Sequence, residues 1–536
     1  MKGTLVRVAT ATVAIISAAI ISYQTVSADR KLPFNDISTS YARNEIIDLY
    51  NRGIITGTSL TTYSPVDSIT RAEFITLLDR LLSLEPVISP VTPYTDLAQS
   101  AWYYGWIQAA VQLQLASGTS ATTFAPLKAV TRQEAAVFIV RALKQAASVA
   151  STHSTFKDGS QIANWANAAV TVVNKLGLMK GDGTGNFRPS DPITRQEAAM
   201  LIYRVVHTDS WPTEMVEESQ ERIVLGWQYG QTVAEFESNI QQSNVNTLSP
   251  RWYFVGGTGS VSDSTDLSLV TWAKKNDKRI WAMVGNRSDQ EATHQLLSNT
   301  TASHVAINQL LAIVNKYGLD GLNIDFENVE PKDRDNLTTF ISILAEKLHA
   351  VDAILSIDVS PDLGTDWTDA FDYTALGRRV DYIVMMGYDE HYGGSVSAGP
   401  NASLPYVQRA IDKLQAHVSS DKVILAMPFY NRDWTLKVDG TASSSMYISL
   451  PEQNGRIKTY SLKPVWNASL GQYVASYTEQ SMKHTIWFED GRSLIAKYRL
   501  AVKERLGGVA YWYIGGESVD VWSSMRNAER FNDYSF

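Results

Sequence analysis

The sequence predicts a multidomain protein in which three small α-helical repeats precede a (β/α)8 barrel. Two observations lead to this fold class. A pair of short signatures recurs three times before residue 207, and eight short apolar strands alternate with helical stretches after residue 221. The length of 536 residues also exceeds what one compact domain usually holds. The chain has ample material for several cores, since 44% of its residues are hydrophobic.

The predicted domain boundaries follow these patterns. Residues 29–90, 91–150 and 151–207 are predicted as the three repeats, residues 208–220 as a linker and residues 221–536 as the barrel domain. The linker prediction rests on a Trp-Pro pair followed by an acidic run, which is typical of a connection between domains.

Residues 1–28 are predicted to be a secretory signal peptide. Lys2 and Arg7 precede a 14-residue apolar run at positions 8–21, and small residues at positions 26–28 offer a cleavage site. A membrane anchor is the alternative, but the run is shorter than the roughly 20 residues that span a bilayer. We therefore expect a secreted mature chain with no stable membrane span.

Charge and cysteine content exclude several classes of partner. The net charge is −8 with no basic block, which argues against a nucleic-acid partner. The sequence has no cysteine, so disulfides and thiolate metal sites are excluded.

The repeats are defined by an opening and a closing signature. An aromatic-x-Asp opens each repeat at residues 34–36, 94–96 and 156–158, and Thr-Arg-x-Glu closes it at residues 70–73, 131–134 and 194–197. A period of 61 to 63 residues indicates stacked supersecondary units. Each closing Thr and Glu can form a capping box, so each repeat is predicted as two helices joined by an ordered loop.

An arginine recurs inside each capping box, at Arg71, Arg132 and Arg195. A cation in the first helical turn opposes the helix dipole, so its repetition suggests a purpose. One interpretation is a structural salt bridge. The other is an anion-binding pocket where free N–H groups and an arginine converge.

Together these signatures resemble three tandem S-layer homology domains. The resemblance implies non-covalent binding of an anionic secondary polymer of the bacterial cell wall. It also implies that Arg71, Arg132 and Arg195 contact this polymer, and that the secreted protein is attached to the Gram-positive cell wall or S-layer.

The C-terminal part is predicted as a barrel from its eight regularly spaced strands. A doubly wound open sheet is the alternative, but the regular alternation favours closure. In such barrels the chemistry lies at the carboxyl ends of the strands. The predicted strands are residues 223–227, 247–255, 280–284, 321–326, 355–359, 382–388, 423–429 and 508–513.

The fourth of these strands carries an unusual acidic face. Alternation places Asn323, Asp325 and Glu327 on one side, while the residues between them are apolar. Apolar helical stretches flank the segment, as they do a buried parallel strand. Buried acids cost desolvation energy unless something pairs or uses them, so the strand is a candidate functional element.

Residues 320–327 resemble the Asp-x-x-Asp-x-Asp-x-Glu signature of glycoside hydrolase family 18. Residues 386–389 resemble its Met-x-Tyr-Asp motif, and Trp512 matches the tryptophan under its sugar site. One position departs from the signature, since Asn323 replaces the second acid and cannot ionise. The general acid is retained, so activity is expected, together with a shifted pH profile.

The resemblance implies a role for each site residue. Glu327 would protonate the glycosidic oxygen, Asp325 would orient the substrate acetamide, and Tyr388 would hydrogen-bond its oxygen. The substrate's own N-acetyl group would act as nucleophile, with retention of configuration and with no metal or cofactor. Further substrate contacts are expected at Asp320, Asn323, Met386, Asp389 and Trp512.

The expected substrate is a polysaccharide with β-1,4-linked N-acetylglucosamine. The sequence of residues 323–328 resembles the branch of this family that cuts peptidoglycan, and chitin is the alternative substrate. Two non-enzymatic alternatives are a sugar-binding barrel without turnover and a structural S-layer component. A polar insertion at residues 435–483 follows the seventh strand and is a candidate wall of the cleft.

Overall fold

The computed structural model describes residues 32–143, 156–208, 222–364 and 368–531. These ranges form a helical N-terminal unit, a parallel barrel and an antiparallel sheet inserted after the seventh barrel strand. The predicted signal peptide and residues 209–220 of the predicted linker lie outside the described residues. Within the described ranges, no helix combines the length and the apolar character that crossing a bilayer requires.

Each N-terminal repeat contributes two short helices, as predicted. The second helix of each repeat starts at a capping box in which Thr70, Thr131 or Thr194 exchanges hydrogen bonds with the glutamate three residues later. The predicted capping boxes are therefore confirmed. The helices are α1 (Arg43–Asn51), α2 (Arg71–Leu81), α3 (Tyr104–Gln112), α4 (Arg132–Ala142), α5 (Asn167–Lys175) and α6 (Arg195–Val206).

The opening signature of each repeat fixes the loop before its capped helix. Asp36 accepts hydrogen bonds from the backbone N–H groups of Tyr63 and Ser64, at 2.9 and 2.7 Å. Asp96 and Asp158 make the equivalent bonds in the second and third repeats. The aromatic-x-Asp signature thus satisfies backbone donors that the loop would otherwise leave unpaired.

The three repeats close into a ring. The second helix of each repeat packs against the first helix of the next, so that α2 contacts α3, α4 contacts α5, and α6 returns to α1. Three antiparallel bridges join the strand-like segments just before the capped helices, at Ser68 with Thr194, Thr70 with Ala129 and Thr131 with Pro192. Each repeat therefore buries its apolar face against both of the others.

Eight parallel strands form the barrel, and pairing between its second and third strands completes the closure. The predicted closed barrel is confirmed. Numbered along the whole chain, its strands are β1 (Ile223–Gln228), β2 (Thr247–Pro250), β5 (Arg279–Gly285), β6 (Gly321–Asp325), β7 (Ile354–Val359), β8 (Tyr382–Met386), β9 (Val423–Pro428) and β15 (Gly508–Ile514).

The predicted strand at residues 247–255 is two strands. It divides into β2 and β3 (Tyr253–Val255), and β3 forms a hairpin with β4 (Val261–Asp263). Pro250 has no N–H to donate, and its carbonyl accepts the N–H of Trp252 at 2.9 Å, which turns the chain. The prediction of one continuous strand was therefore wrong.

Helices surround the barrel and cover the apolar face of β6. The ring of Phe326 lies 5.8 Å from Phe340 on a covering helix, so the apolar side of the acidic strand packs as predicted. The barrel helices are α7 (Val233–Gln242), α8 (Leu267–Lys275), α9 (Gln290–Ser298), α10 (Thr300–Tyr317), α11 (Arg334–His349), α12 (Tyr373–Gly377), α13 (Leu404–Gln415), α15 (Gly491–Lys503) and α16 (Val521–Arg530).

The insertion after β9 is a five-stranded antiparallel sheet with one helix. It has a small core of its own around Ile448, Ile486 and Phe488. The pairing order is β11-β10-β14-β13-β12. Its elements are β10 (Tyr430–Leu436), β11 (Ala442–Ser449), α14 (Leu450–Thr459), β12 (Val465–Asn467), β13 (Gln472–Glu479) and β14 (Met482–Phe488).

The helical ring docks on the barrel through the segment between its first two repeats. The carboxylate of Glu85 pairs with Arg526 of α16 at 2.7 Å, and Asn527 bonds to both backbone groups of Glu85 at 2.8 Å. Farther along the segment, Val91 is buried in the core of the inserted sheet. The ring, the barrel and the insertion therefore share buried contacts.

Candidate active site

Two carboxylates lie together at the carboxyl end of β6. Asp325 is the last residue of the strand, and Glu327 follows it two residues later. Both are half-buried. Burial, with the negative charge of Glu327, raises the pKa of Asp325 to about 7, although Arg251 acts in the opposite direction. The carboxylate of Glu327 is thus close enough to influence proton binding by Asp325.

Side chains from the loop after β5 hold Glu327. The hydroxyl of Ser288 donates to Oε2 of Glu327 at 2.7 Å. The amide of Asn286 bonds to both backbone groups of Glu327, accepting its N–H at 3.1 Å and donating to its carbonyl at 2.7 Å. The backbone and the carboxyl group of Glu327 are therefore both positioned by a neighbouring strand end. The sequence analysis did not identify Asn286 or Ser288.

The end of β8 brings a second set of predicted residues to the same face. Tyr388 is buried, and burial raises its pKa well above the usual range. Charges on Asp325 and Asp389 act in the same direction, which indicates their proximity. Asp389 accepts a hydrogen bond from the hydroxyl of Tyr430 at 2.8 Å. The predicted contact residue Met386 is the last residue of β8 and is half-buried.

Aromatic rings line the end of β15. The ring of Trp512 lies 5.8 Å from Trp227 and 5.4 Å from Tyr229, and Tyr229 is 43% exposed. The guanidinium of Arg251 lies 4.9 Å from the ring centre of Tyr229. Since all barrel strands are parallel, Trp512 shares its end of the barrel with the acids.

The inserted sheet forms a wall beside Asp389, where the sequence predicted one. Tyr430 of β10, which donates to Asp389, stacks on Tyr447 of β11 at 4.7 Å. Tyr447 is 41% exposed. Arg432 lies 3.8 Å from Asp389, on the same strand as Tyr430. The insertion thus supplies polar and aromatic groups next to the barrel acids.

Two other residues of the acidic strand lie away from this surface. Asn323 is completely buried inside the barrel, beneath Asp325. Asp320 precedes the strand at its opposite end, where its carboxylate accepts the N–H of Ile280 at 2.8 Å. Asp320 was predicted to contact substrate, but the structure separates it from the other site residues by the length of β6. Its observed role is to join β6 to β5.

Beside the site, three side chains could together offer ligands to a cation. Atoms of His294, Glu330 and Asp333 lie within 4.8 Å of one another. Asp333 already accepts hydrogen bonds from His294 at 2.8 Å and from Asn336 at 3.0 Å, while Lys332 pairs with Glu330. These protein partners account for the cluster without an ion.

The signature arginines of the helical ring interlock neighbouring repeats. Arg71 donates to the carbonyls of Phe124 and Ser117 at 3.1 and 2.9 Å and lies 3.4 Å from Glu134. Arg132 and Arg195 make equivalent contacts, with Glu197 at 3.2 Å and Glu73 at 2.6 Å. These contacts match the structural interpretation of the arginines. Polymer binding by all three stays a prediction.

One pocket of about 200 Å³ is lined by residues of all three repeats. Its walls combine an exposed tyrosine, two carboxylates and a larger number of cations. The polar lining residues are Tyr41, Arg132, Lys180, Asp182, Arg188, Glu197 and Arg204.

A closed (β/α)8 barrel with paired acids at its strand ends defines an enzyme scaffold, and comparison with known families identifies its class. The family model described as "Glycosyl hydrolases family 18" matches residues 232–517. This match covers more than half of the chain, so the protein belongs to glycosyl hydrolase family 18. The model described as "S-layer homology domain" matches residues 33–75, 93–136 and 155–199.

Two curated relatives and one solved structure illustrate the similarity. The chain is 27% identical over 319 residues to the uncharacterized glycosylase YvbX of Bacillus subtilis, covering 58% of this chain and 92% of the relative. It is 26% identical to the cortical fragment-lytic enzyme of the same organism, covering 56% and 72%. A chitinase structure from Chromobacterium violaceum matches with a TM-score of 0.52 and 23% identity, covering 57% of this chain and 98% of that one.

The protein is therefore a family 18 glycosidase that carries three S-layer homology domains. The predicted recognition of both families is confirmed. The S-layer homology domains further indicate a protein attached to the cell surface.

Proposed function

We propose that this protein is secreted, is held non-covalently on the Gram-positive cell wall, and cleaves β-1,4-linked N-acetylglucosamine in peptidoglycan. The observation that carries this proposal is the placement of Glu327 with Asp325 at the carboxyl end of β6. Tyr388 and Trp512 lie at the same end of the barrel. This set supplies an acid, a partner for an acetamide and an aromatic surface for a sugar ring.

In the first step of the proposed reaction, the glycosidic bond breaks with the help of the substrate. Glu327 donates a proton to the glycosidic oxygen, which leaves as a hydroxyl group. The carbonyl oxygen of the substrate N-acetyl group bonds to the anomeric carbon and gives a cyclic oxazolinium ion. Asp325 orients the acetamide and stabilises the positive charge, Tyr388 donates to the acetamide oxygen, and Trp512 stacks beneath the ring.

In the second step, water opens the oxazolinium ion. The ionised Glu327 takes a proton from the attacking water, whose oxygen bonds to the anomeric carbon as the bond to the acetamide oxygen breaks. Two displacements at the same carbon retain its configuration. The protein's carboxyl groups end as they began, with one proton on Glu327.

Peptidoglycan is proposed over chitin as the substrate because one relative is a cortical fragment-lytic enzyme. The cortical fragment-lytic enzyme resembles this chain over 72% of its own length. Chitin is the second candidate, and the same acid and acetamide chemistry would cleave it. Product analysis on both polymers separates the two.

The variant Glu327→Gln tests the proposed chemistry, because the amide keeps the size of the side chain and removes its transferable proton. We expect turnover of peptidoglycan fragments to fall at least about 100-fold, the usual contribution of a general acid. The measurement is the release of new reducing ends. NMR of the first product of the wild-type enzyme should show the β configuration that retention requires. Glu346→Gln, an exposed change on α11, is the matched control. Undiminished cleavage by Glu327→Gln would overturn the proposed role.

The pocket lined by all three repeats is the proposed site for an anionic cell-wall polymer. Arg132, Lys180, Arg188 and Arg204 outnumber the two carboxylates that line it, so the pocket favours a negatively charged ligand. Tyr41 adds an aromatic surface that is 62% exposed. Arg71 and Arg195 are proposed to bind the same polymer at the equivalent positions of the ring.

Arg188 offers a test of this pocket, because it is 44% exposed and its removal should leave the ring folded. We expect Arg188→Ala to lower the fraction of full-length protein that sediments with purified cell walls, and the difference from the wild type to shrink as salt screens the charge of Arg188. Arg52→Ala, an exposed change outside the pocket, should bind as the wild type does. Equal sedimentation of the Arg188 variant and the wild type would exclude this pocket.

A further inference from the structure

A third buried acid lies beside the acidic strand, on β7. Asp358 is 3% exposed and Asn323 is completely buried. The register pairs Asn323 with Ser356 and Ile324 with Ile357, so the next pair places Asp358 alongside Asp325. Neighbouring strands lie about 4.8 Å apart, and residues two apart share a face. Asp358 thus faces the barrel interior next to the proposed acetamide-binding acid.

The orientation of the Asn323 amide is fixed by its other neighbour. The indole N–H of Trp227 donates to Oδ1 of Asn323 at 2.9 Å, and an indole nitrogen can only donate. The Nδ2 group of Asn323 must therefore point the other way, where it donates to Oδ1 of Asp358 at 2.7 Å and to the hydroxyl of Ser356 at 3.0 Å. Asn323 is thus a hydrogen-bond donor to a buried carboxyl group.

We infer that Asp358 takes over the function of the acid that the family 18 signature places at position 323. It acts as a positioning residue that shares charge and protons with Asp325 and that Asn323 holds in place. This inference rests on the proposed function of Asp325 and Glu327. In this chain the acid lies on β7 and not on β6, and the amide of Asn323 donates a hydrogen bond to it.

The electrostatics of the barrel interior agree with this assignment. Burial and the charge of Asp325 raise the pKa of Asp358 well above its usual range, although the hydrogen bond from Asn323 opposes this. The titratable groups that face it are Asp325 and Glu327 from β6 and its end, and Tyr388 after β8, with Arg251 acting on Asp325 from the end of β2. Negative charge near Asp358 therefore favours the protonated form of its carboxyl group.

The matched pair explains why an acid at position 323 would be unfavourable in this chain. A carboxylate in place of the Asn323 amide would meet the Asp358 carboxylate at hydrogen-bond distance, and one of the two would need a proton. An amide at either position, with a carboxylate at the other, gives a hydrogen bond without that requirement. The amide and the carboxylate can therefore exchange positions, but two carboxylates at positions 323 and 358 are unfavourable.

Three variants of the full-length protein test this inference: Asp358→Asn, Asn323→Asp and the double exchange. Asp358→Asn keeps shape and hydrogen bonding but removes the ionisable carboxyl group beside Asp325. The alkaline limb of its kcat/KM profile against pH should therefore lie about one pH unit lower than in the wild type, a typical effect of one nearby carboxylate. Asn323→Asp should move the same limb upward and lower kcat/KM at neutral pH. The double exchange should return the profile close to that of the wild type.

A structural role alone would give a different result. An Asp358→Asn profile that coincides with the wild type, or a double variant whose kcat/KM at neutral pH is lower than that of either single variant, would overturn the inference. Asp352→Asn, an exposed change before β7, controls for general charge effects. Thermal midpoints show whether each variant folds, and the profile of Asp358→Asn suffices if Asn323→Asp does not fold. An active Glu327→Gln variant would instead overturn the proposed function on which the inference rests.

Discussion

Glu327 is positioned by residues that belong to another strand end. Ser288 donates to its carboxylate, and Asn286 bonds to its backbone on both sides. Asn286 is itself buried and donates also to Thr293 at 2.8 Å, so its orientation is set by the helix that follows. A general acid works only when its proton points at the leaving oxygen. The loop after β5 is therefore part of the proposed catalytic arrangement.

Ser288→Ala tests this arrangement at the level of one hydrogen bond. The methyl group cannot donate, so the carboxyl of Glu327 should sample unproductive orientations. We expect kcat to fall about three-fold with little change in KM, since a typical hydrogen bond contributes roughly 0.5–1.5 kcal/mol and this one is exposed. Steady-state kinetics on a defined peptidoglycan fragment provide the measurement. Ser298→Ala, an exposed serine at the end of α9, serves as control, and an unchanged kcat for Ser288→Ala would contradict the assignment.

The sequence predicted the acidic residues of this site but not their supports. Alternation along one strand placed Asp325 and Glu327 on a common face, because the period of two is a local property. Asn286 and Ser288 stand 41 and 39 residues before Glu327. Their contacts depend on how two loops meet at the end of the barrel, and no local sequence pattern indicates which loops meet there. Asp358 is a similar case, since only strand register shows its neighbour.

Among the elements, those governed by local patterns were predicted well. The capped helices follow from Thr and Glu three residues apart, and all three form. The eight barrel strands occur where apolar runs predicted them, apart from the division at Pro250. The inserted sheet was predicted only as a polar insertion, because its antiparallel strands are half-exposed and carry a weak apolar alternation.

The arginine of each capping box acts between elements and not within one. Each guanidinium reaches from the start of one helix to carbonyl groups and the capping glutamate of the next repeat. The capping glutamate therefore serves its own helix and the neighbouring repeat at once. This explains a cation at a helix start, since the hydrogen bonds across the interface offset the unfavourable dipole interaction.

At the scale of the whole molecule, the helical ring and the barrel form a continuous structure. Gln112 of α3 accepts a hydrogen bond from Ser524 of α16 at 2.7 Å, and both side chains are buried. The partners are 412 residues apart in sequence, which is why the sequence offered no sign of this docking. Docking of this kind gives the catalytic cleft a set orientation relative to the wall-binding ring.

Asn527→Ala tests the docking at the polar contact between α16 and the segment that joins the first two repeats. The side chain of Asn527 is 3% exposed and bonds at 2.8 Å to the N–H and the carbonyl of Glu85. The alanine variant leaves both backbone groups of Glu85 without their partner, at a cost of about 1–3 kcal/mol for each buried group. We expect faster amide hydrogen exchange in residues 83–93 and 521–530, by about ten-fold or more, because exchange follows the free energy of local opening.

The exchange pattern also distinguishes local docking from general stability. Exchange at the three capped helices α2, α4 and α6 should change less than at the docking segment, because the arginine contacts between repeats remain. Lys503→Ala, an exposed change at the end of α15 with its side chain 73% accessible, should leave exchange in residues 83–93 unaltered. Equal protection of residues 83–93 in Asn527→Ala and the wild type would show that the ring and the barrel are not coupled through this contact. Cell-wall sedimentation and glycosidase activity would then be independent properties of two units joined by the chain alone.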